Sequence, residues 1–405
     1  MQMESDGETA YDNTVEIKGQ LDMRKFRTVY MRGGTSKGCI FLKEDLPADP
    51  AEWDSIFLQA MGDPDPKQID GLGGTVSSSN KIVIVWKSQD PDADIEYLVG
   101  QVIPGKSMVD YKSNCGNMTA AVPAYAVEEG LVEVTQPLTT VRLLNRNTDK
   151  YISVDVPIDP KTNSFAHEGD CSIAGVDGTA AELLVNFLNP AGSKTGRLLP
   201  TGNTLDELDI PGFGTIEATI LDVSNPLVIV HAEDVGLKGT ELPSVVDGDE
   251  RASALLEQIR AAAAVRMGFA KDPQDAAINS PAVPKIAFFT KPEDYSSIDH
   301  KAISREEMDL CVRVISVFKC HKACPLTAAG AISVALHLDG SILQKTLGAF
   351  NPEKKEVRIG HPGGVMTMVP TVIRHGEDMN QMEISGVAVQ RTARRIMDGT
   401  LYIRR

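Results

Sequence analysis

The sequence predicts an α+β protein of two similar domains, each with a sheet wrapped round a central helix. The chain has 405 residues, more than one ordinary hydrophobic core accommodates. Apolar strand patterns recur in both halves, separated by fewer helical patterns. The same pattern also occurs at two places, Cys115 and Cys324, where a cysteine is followed by a run of small residues and then by an apolar helix. This repeat indicates a degenerate internal duplication, with the N-termini of both helices facing one cleft. Coincidence between two Ala-rich helices is the alternative.

The first half begins with a strand, a glycine-rich loop and a second strand. The spacing of Trp53, Ile56, Phe57 and Met61 places them on one side of a helix. Apolar and β-branched runs predict the other strands, and small residues after Cys115 predict the central helix. The predicted strands cover residues 26–31, 39–42, 82–86, 95–102, 140–143 and 151–156.

The second half repeats this style. A long helix is expected over 252–268, and an apolar helix follows Cys324. Residues 308–318 fit either a strand or a helix, because their residue types do not decide between the two. The remaining apolar runs predict strands, at 216–223, 227–232, 285–290, 356–362, 364–370 and in 382–405.

We expect four segments along the chain. Residues 1–23 form a flexible acidic lead, which lacks the apolar core of a signal peptide. The first domain spans 24–190 and the second 191–380. Residues 381–405 are expected to pack back on the first domain.

Composition restricts the classes of molecule that this protein can bind. A net charge of -16 argues against nucleic acid and anionic membranes, but not against a small anion held by local cations. The six cysteines show no disulfide framework, and no apolar stretch reaches the length of a membrane span, so we expect a cytoplasmic protein. A homodimer would suit a chain of this size.

No cofactor is expected. Cys320, His321 and Cys324 lie close together in sequence, but three ligands on one short stretch without a spaced partner make a zinc site improbable. No Gly-x-Gly-x-x-Gly motif follows a strand, so a nicotinamide site has no support.

Cys115 is the first candidate for chemistry. Gly116 and Asn117 favour a tight turn from it into the following helix. Free N–H groups at a helix N-terminus bind carboxylates and stabilise a thiolate, which acts as a base or nucleophile. A buried structural cysteine is the alternative.

Lys81 is the second candidate. It follows the hydroxyl-rich run Ser77, Ser78 and Ser79 and opens a buried strand. Partial burial at such a boundary favours the neutral amine that a general base requires. A strand-end lysine that extends into solvent explains the same pattern.

Two glycine-rich loops are candidate anion sites. Residues 32–38 combine glycines with the hydroxyls of Thr35 and Ser36, without the spacing of a nucleotide-binding P-loop. Residues 360–364 combine glycines with His361. A tight turn and a structural histidine are the alternatives.

The order of motifs along the chain resembles the PrpF family. RGGTSKG is followed by QIDGLGGTVSSSNK, NCGNM, LPTGN with DELDIPGFGT, RMG and GHPGG. The resemblance runs from Arg27 to the C-terminus. It implies a diaminopimelate-epimerase-like fold with the active site between two pseudo-symmetric domains. It also implies a cofactor-independent isomerase of 2-methylaconitate, aconitate, methylitaconate or 4-oxalomesaconate.

The resemblance also implies residue roles. Lys81 and Cys115 match the catalytic pair of the family. Asn225 resembles an asparagine that contacts substrate in the epimerases, and Arg266 is a further carboxylate clamp. The implied carboxylate-binding positions are Thr35, Ser36, Ser77, Ser78, Ser79, Gly116, Asn117, His361, Gly363 and Gly364.

Two departures leave alternatives open. Gly363 stands where many family members carry a hydroxyl residue. Cys324 resembles the second cysteine of the two-base epimerases, so it is a candidate second base in an epimerase or racemase. A non-catalytic accessory protein of an aconitase-like enzyme is a third alternative, which the presence of both Lys81 and Cys115 argues against.

The favoured reaction begins with removal of a proton from the carbon next to a double bond. The negative charge spreads onto a carboxylate, where helix N-termini and loop N–H groups stabilise it. Return of the proton at another carbon moves the double bond or exchanges cis and trans forms. Lys81 and Cys115 share these proton transfers, and the sequence leaves open which one removes the proton.

Overall fold

The computed structural model describes residues 23–111, 114–316, 318–351 and 353–404. Apart from Met23, the predicted flexible lead lies outside the described residues. Within the described ranges, no helix is long and apolar enough to cross a membrane.

The first half forms a sheet around a central helix. Neighbouring strands pair in the order β1, β2, β3, β4, β6, β7 and β9, with parallel pairs at β2–β3 and β4–β6. The elements are β1 (Met23–Gly33), β2 (Ser36–Leu42), α1 (Trp53–Met61), β3 (Lys81–Lys87), β4 (Ile95–Ile103), β5 (Met108–Asp110), α2 (Gly116–Thr119), α3 (Ala121–Glu128), β6 (Leu138–Asn145), β7 (Lys150–Asp159), β8 (Ser164–Phe165) and β9 (Leu183–Leu188).

The second half repeats this arrangement with more helices on its outer face. Residues 308–318, which the sequence left open, contain a strand at Leu310–Ser316. The elements are β10 (Asp206–Ile210), β11 (Gly214–Val223), β12 (Asn225–His231), α4 (Pro243–Gly248), α5 (Glu250–Arg266), α6 (Pro273–Asn279), β13 (Lys285–Thr290), β14 (Tyr295–Ser296), β15 (Ala302–Ile303), β16 (Leu310–Ser316), β17 (Lys319–Cys320), α7 (Leu326–Ala335), α8 (Ile342–Leu347), β18 (Val357–His361), β19 (Gly364–Ile373), β20 (Glu383–Arg391) and β21 (Ala393–Arg404).

Each central helix is apolar on all sides, as burial requires. Residues 121–127 of α3 and 328–335 of α7 are buried throughout. Strands from distant parts of the sheet, β21 and β7, contact α3, while β11 and β19 both contact α7. Because each central helix contacts strands that lie far apart in its sheet, each sheet must curve round its helix. The predicted α+β class with two such halves is confirmed.

The last two strands tie the halves together. β20 pairs with β9 of the first half and with β19 of the second. β21 then runs antiparallel to β1, from Ala393 beside Gly33 to Arg404 beside Met23. The sheet is therefore continuous through β20. The predicted limits at 190/191 and 380/381 stay predictions.

The three largest regions of the hydrophobic core are one shared region and two outer regions. The shared region surrounds α3 and α7 together. The outer face of the first sheet packs against α1, and that of the second packs against α5. The shared core fixes the N-terminal ends of both central helices against each other.

Candidate active site

The N-terminal ends of α2 and α7 meet at the boundary between the halves. A Cβ atom at Gly116 would lie 2.5 Å from Cδ1 of Leu326, so a larger residue there would require the Leu326 side chain to move. A cavity of about 940 Å³ opens beside the contact. Cys115 and Cys324, which precede the two helices, both line it, as the internal repeat predicted.

The cavity is strongly cationic, although the chain carries a net charge of -16. Among the described residues that line it, none is an aspartate or a glutamate. A ligand with several negative charges is the natural counterpart of such a wall. The basic residues of the wall are Lys81, Lys150, Lys194, Lys285, His321, His361 and Arg391.

Lys81 is the first residue of β3 and pairs with Gly38 of the parallel strand β2. Its ammonium donates to Oε1 of Gln101, a neutral acceptor. The amide nitrogen of Gln101 donates to the carbonyl oxygens of Asn80 and Val102, which fixes the orientation of the amide. Lys81 is therefore positioned without an ion pair to any described carboxylate, and it can interact with an anionic ligand.

Cys115 is the N-cap residue of α2, in an extended conformation. Its thiol lies 3.8 Å from Oγ of Ser36 at the start of β2. Next to it, Nδ2 of Asn117 donates to Oγ1 of Thr35 at 3.0 Å. These contacts hold the first glycine-rich loop against the start of α2. The residues of this region that line the cavity are Thr35, Cys115, Gly116 and Asn117.

His361 ends β18 and is only 2% exposed. Its Nδ1 accepts from the N–H of Gly363 at 3.1 Å, whereas Nε2 has no hydrogen-bond partner among the described residues. Burial, together with the charges of Arg313 and Arg391, lowers the pKa of His361 to about 3. The imidazole is therefore neutral, with its proton on Nε2.

Tyr295 fixes the loop that carries His361. Its hydroxyl lies 2.8 Å from the carbonyl oxygen of His361 and 2.6 Å from that of Gly364, as a shared donor. The guanidinium of Arg313 lies 5.1 Å from the centre of the Tyr295 ring. The buried Tyr295 ring and its two hydrogen bonds to main-chain carbonyl oxygens therefore hold the His361 imidazole at the cavity.

Arg391, at the end of β20, was not found from the sequence. Its side chain is buried, with the residue 7% exposed, and it lines the cavity. Burial lowers its pKa to about 10, and no described carboxylate offsets that burial. No motif surrounds this residue, and only the pairing of β20 with both halves brings it to the site.

Lys285 and His321 were also missed, although one signal pointed to Lys285. The parallel strands β12 and β13 begin at the same edge, with Leu227 beside Lys285. Since Asn225 opens β12, a lysine that opens β13 lies near it, and both line the cavity. Burial lowers the pKa of Lys285. Burial also lowers the pKa of His321, and the charge of Lys285 lowers it a little further.

Several predicted binding residues lie elsewhere. Arg266 ends α5 on the outer face of the second sheet, is exposed, and donates to the carbonyl oxygen of Glu207 at 3.2 Å. Helix α5 buries its apolar side against that face, so its last residue points away from the cavity. Seven of the predicted binding positions among the described residues do not line the cavity. They are Arg266, Ser36, Ser77, Ser78, Ser79, Gly363 and Gly364.

These positions differ in their distance from the site. Ser36 contacts the Cys115 thiol, and Gly363 contacts the His361 ring. Ser77–Ser79 form a 3₁₀ turn before β3, in which the Ser79 hydroxyl donates to the carbonyl oxygen of Val76. The binding roles of these serines stay predictions.

The cysteines are all free, and they show no metal arrangement. Over the part of the chain that the structure describes, no three side chains of His, Cys, Asp or Glu are grouped as a metal ion requires. Cys324 is 3% exposed, and burial raises the pKa of its thiol to about 12. It is therefore a neutral thiol at physiological pH, unlike a working base.

Replacement of Cys324 by alanine should leave kcat within about three-fold of the unaltered protein. The neutral thiol has no charge to lose, and the small void should cost about 1 kcal/mol of folding stability. Isomerisation assays and thermal unfolding of the variant check both values. A loss of activity of 100-fold or more in a folded variant would instead support two cysteine bases.

Comparisons with known proteins find similar chains over nearly the whole length of this one. Residues 23–404 match the family model described as PrpF protein. 3-Methylitaconate isomerase of Eubacterium barkeri is 41% identical, over 94% of this chain and 98% of that protein. 2-Methyl-aconitate isomerase of Shewanella oneidensis is 39% identical, over 94% and 97% of the two chains. A crystal structure of methylitaconate-delta-isomerase has a TM-score of 0.85 and 39% identity, covering 95% of this chain and 96% of that one.

Proposed function

Since this chain belongs to the PrpF family, we propose that it isomerises a small unsaturated di- or tricarboxylate in the cavity between its halves. Similar proteins are named isomerases of 3-methylitaconate and 2-methylaconitate and a tautomerase of 4-oxalomesaconate. The observation that carries the proposal is the charge of the cavity, which is lined by four lysines and Arg391 and by no described carboxylate. Such a wall offsets two or three negative charges of a small acid.

The two candidate bases come from the first half of the chain. Lys81 stands at the start of β3 and Cys115 at the start of α2, and both line the same cavity. The second half supplies cationic and imidazole groups, Lys285, His321 and His361. The first half thus supplies both proton-transfer groups, and the second half adds most of the basic residues of the wall.

This division suits an allylic proton shift. One base removes a proton from the carbon next to the double bond, and the electron pair spreads over the conjugated system onto a carboxylate oxygen. The cationic wall and the N–H groups at the helix starts stabilise that charge. Return of a proton at the far carbon of the system completes the shift without a redox step. We propose that Lys81 and Cys115 carry these two transfers, with no metal or organic cofactor.

The epimerase alternative has less support. It needs a thiolate that removes the proton and an opposing thiol that returns one, with the two roles exchanged in the reverse direction. Burial raises the pKa of the Cys324 thiol to about 12, so this thiol suits the donor role but not the role of base. A cytoplasmic location and a homodimer stay predictions from the sequence.

The test is incubation in D₂O with 2-methylaconitate, cis-aconitate, trans-aconitate, 4-oxalomesaconate and methylitaconate. Proton NMR follows the appearance of isomers and the uptake of deuterium. We expect one of these acids to isomerise, with deuterium at the carbon that receives the proton. The variant Lys87→Ala, at the exposed far end of β3, serves as the control for a lost lysine. Absence of both turnover and exchange on all five acids would disprove the proposal for this class.

A further inference from the structure

Two buried nitrogens in the cavity have no hydrogen-bond partner among the described residues. They are Nε of Arg391 and Nε2 of His361. Both residues line the same cavity, and Arg391 contacts Met366, which pairs with Ile359 on the strand that His361 ends. A buried donor without a partner costs folding free energy, and a bound ligand removes that cost.

The free edge of Arg391 has the geometry of a carboxylate clamp. Nη1 donates to the carbonyl oxygen of Gln390 at 2.8 Å, while the contact of Nη2 is the sulfur of Met366 at 4.0 Å. Along the edge formed by Nε and Nη2, that weak acceptor is therefore the hydrogen-bond partner that the described residues supply. A guanidinium presents two parallel N–H groups along this edge, which match the two oxygens of a carboxylate.

Other arginines of this chain use the same edge for that purpose. Arg142 donates to Asp94 through Nε at 3.3 Å and Nη2 at 2.7 Å. Arg260 donates to Glu257 through Nε and Nη2, both at 2.6 Å. Arg391 presents the same two nitrogens without a protein carboxylate in the described part of the chain.

His361 adds a third donor to this edge. Its Nδ1 accepts from the Gly363 N–H, so the proton lies on Nε2, which is free. Burial keeps the ring neutral, so it contributes a hydrogen bond and no second charge. The Tyr295 hydroxyl donates a hydrogen bond to the carbonyl oxygen of His361 and so holds the His361 ring in place.

Arg391 also lies near the candidate base. A Cβ atom at Gly34 would lie 3.2 Å from Cδ of Arg391 and would also touch the side chain of Asn117, so Arg391 lies beside the first turn of α2, which Cys115 precedes. A carboxylate held by this arginine therefore puts its neighbouring carbons close to Cys115. We propose that the Nε–Nη2 edge of Arg391 and Nε2–H of His361 bind one carboxylate of the substrate and orient it toward Cys115. This inference rests on the proposed function for the identity of the ligand as a carboxylate substrate.

Binding of tricarballylate, a saturated tricarboxylate that cannot isomerise, tests the inference by calorimetry. Arg391→Gln should weaken binding about 30- to 100-fold, because it removes a charge-assisted pair of hydrogen bonds. Arg391→Lys keeps the charge without the paired N–H groups and should weaken binding about 10-fold. His361→Phe should weaken it about 5-fold. The control is Arg394→Gln, an exposed arginine on the neighbouring strand β21.

Thermal unfolding separates a binding role from a structural one. A structural arginine stabilises the free protein, whereas a buried charge without a carboxylate partner costs stability. Without ligand, Arg391→Gln should therefore melt no lower than the unaltered protein, and its increase in melting temperature with tricarballylate should be lost. A lower melting temperature of the free variant would overturn the inference.

The outcomes also distinguish this inference from the proposed function. If the unaltered protein isomerises one of the five acids but binds tricarballylate no better than Arg391→Gln does, the inference is wrong and the function stands. If it binds tricarballylate through Arg391 but isomerises none of the acids, the clamp stands and the proposed function is wrong.

Discussion

Replacement of Lys81 by alanine, or of Cys115 by serine, should lower kcat for isomerisation by about 1000-fold or more. A positioned general acid or base contributes roughly 10²- to 10⁴-fold, and the reaction needs one proton removed and one returned. KM should change much less, because other groups in the cavity hold the carboxylates. Steady-state kinetics on the acid identified by NMR measure both values. Loss of less than 10-fold in both variants would contradict the assignment.

The same variants decide which residue removes the proton. If Lys81 removes it, Cys115→Ser still exchanges the allylic hydrogen for deuterium in recovered substrate, although it forms little product. Lys81→Ala then shows neither exchange nor product. The opposite pattern would assign removal to Cys115. Lys87→Ala should behave as the unaltered protein in both measurements, since Lys87 lies at the exposed end of the same strand.

Acid should destabilise this protein before its carboxylates titrate, because of His361. Burial lowers the pKa of this imidazole from the usual 6.5 to about 3. Between these values the unfolded chain binds a proton that the folded protein does not, so stability rises with pH and is lost as pH falls. The free energy of unfolding should decrease by about 2.5 kcal/mol between pH 7 and pH 4.5 from this residue.

Urea unfolding at several pH values measures that loss. In His361→Gln the decrease over the same interval should be smaller by about 2.5 kcal/mol, because glutamine does not titrate. Nε2 carries a proton in the neutral tautomer and in the imidazolium alike, so carboxylate binding should not weaken through His361 over this interval. Equal slopes in both proteins would show that the His361 ring is protonated or exposed in solution.

Local patterns were sufficient to predict most of the fold. Continuous apolar runs predicted strands such as β3 and β13, and the all-apolar segment after Cys324 predicted α7. The segment at 308–318 could not be assigned, since its residues suit both states. Pairing with β13 on one side and β18 on the other makes Leu310–Ser316 a strand, and both contacts are distant in sequence.

The site was predictable only where a motif marks it. Cys115 and Lys81 lie beside glycine- or hydroxyl-rich segments, and both line the cavity. Arg391 follows an ordinary strand pattern, and its position depends on which strands β20 joins. Arg266 had a local signal, but the packing of α5 on the outer face placed it away from the cavity. Long-range pairing, which single-sequence patterns do not carry, decided both cases.

The pairing of β20 with both halves has a consequence for how the chain folds. The first half leaves the ribosome early, yet β1 acquires its neighbour β21, and β9 acquires β20, only after residues 383–404 are synthesised. Until then, two sheet edges of the first half expose unpaired N–H and C=O groups, which are prone to wrong pairing. Contacts that join the ends of so long a chain also form slowly. We expect nascent chains truncated before β20 to aggregate or bind chaperones, and full-length chains to gain protease resistance in one late step.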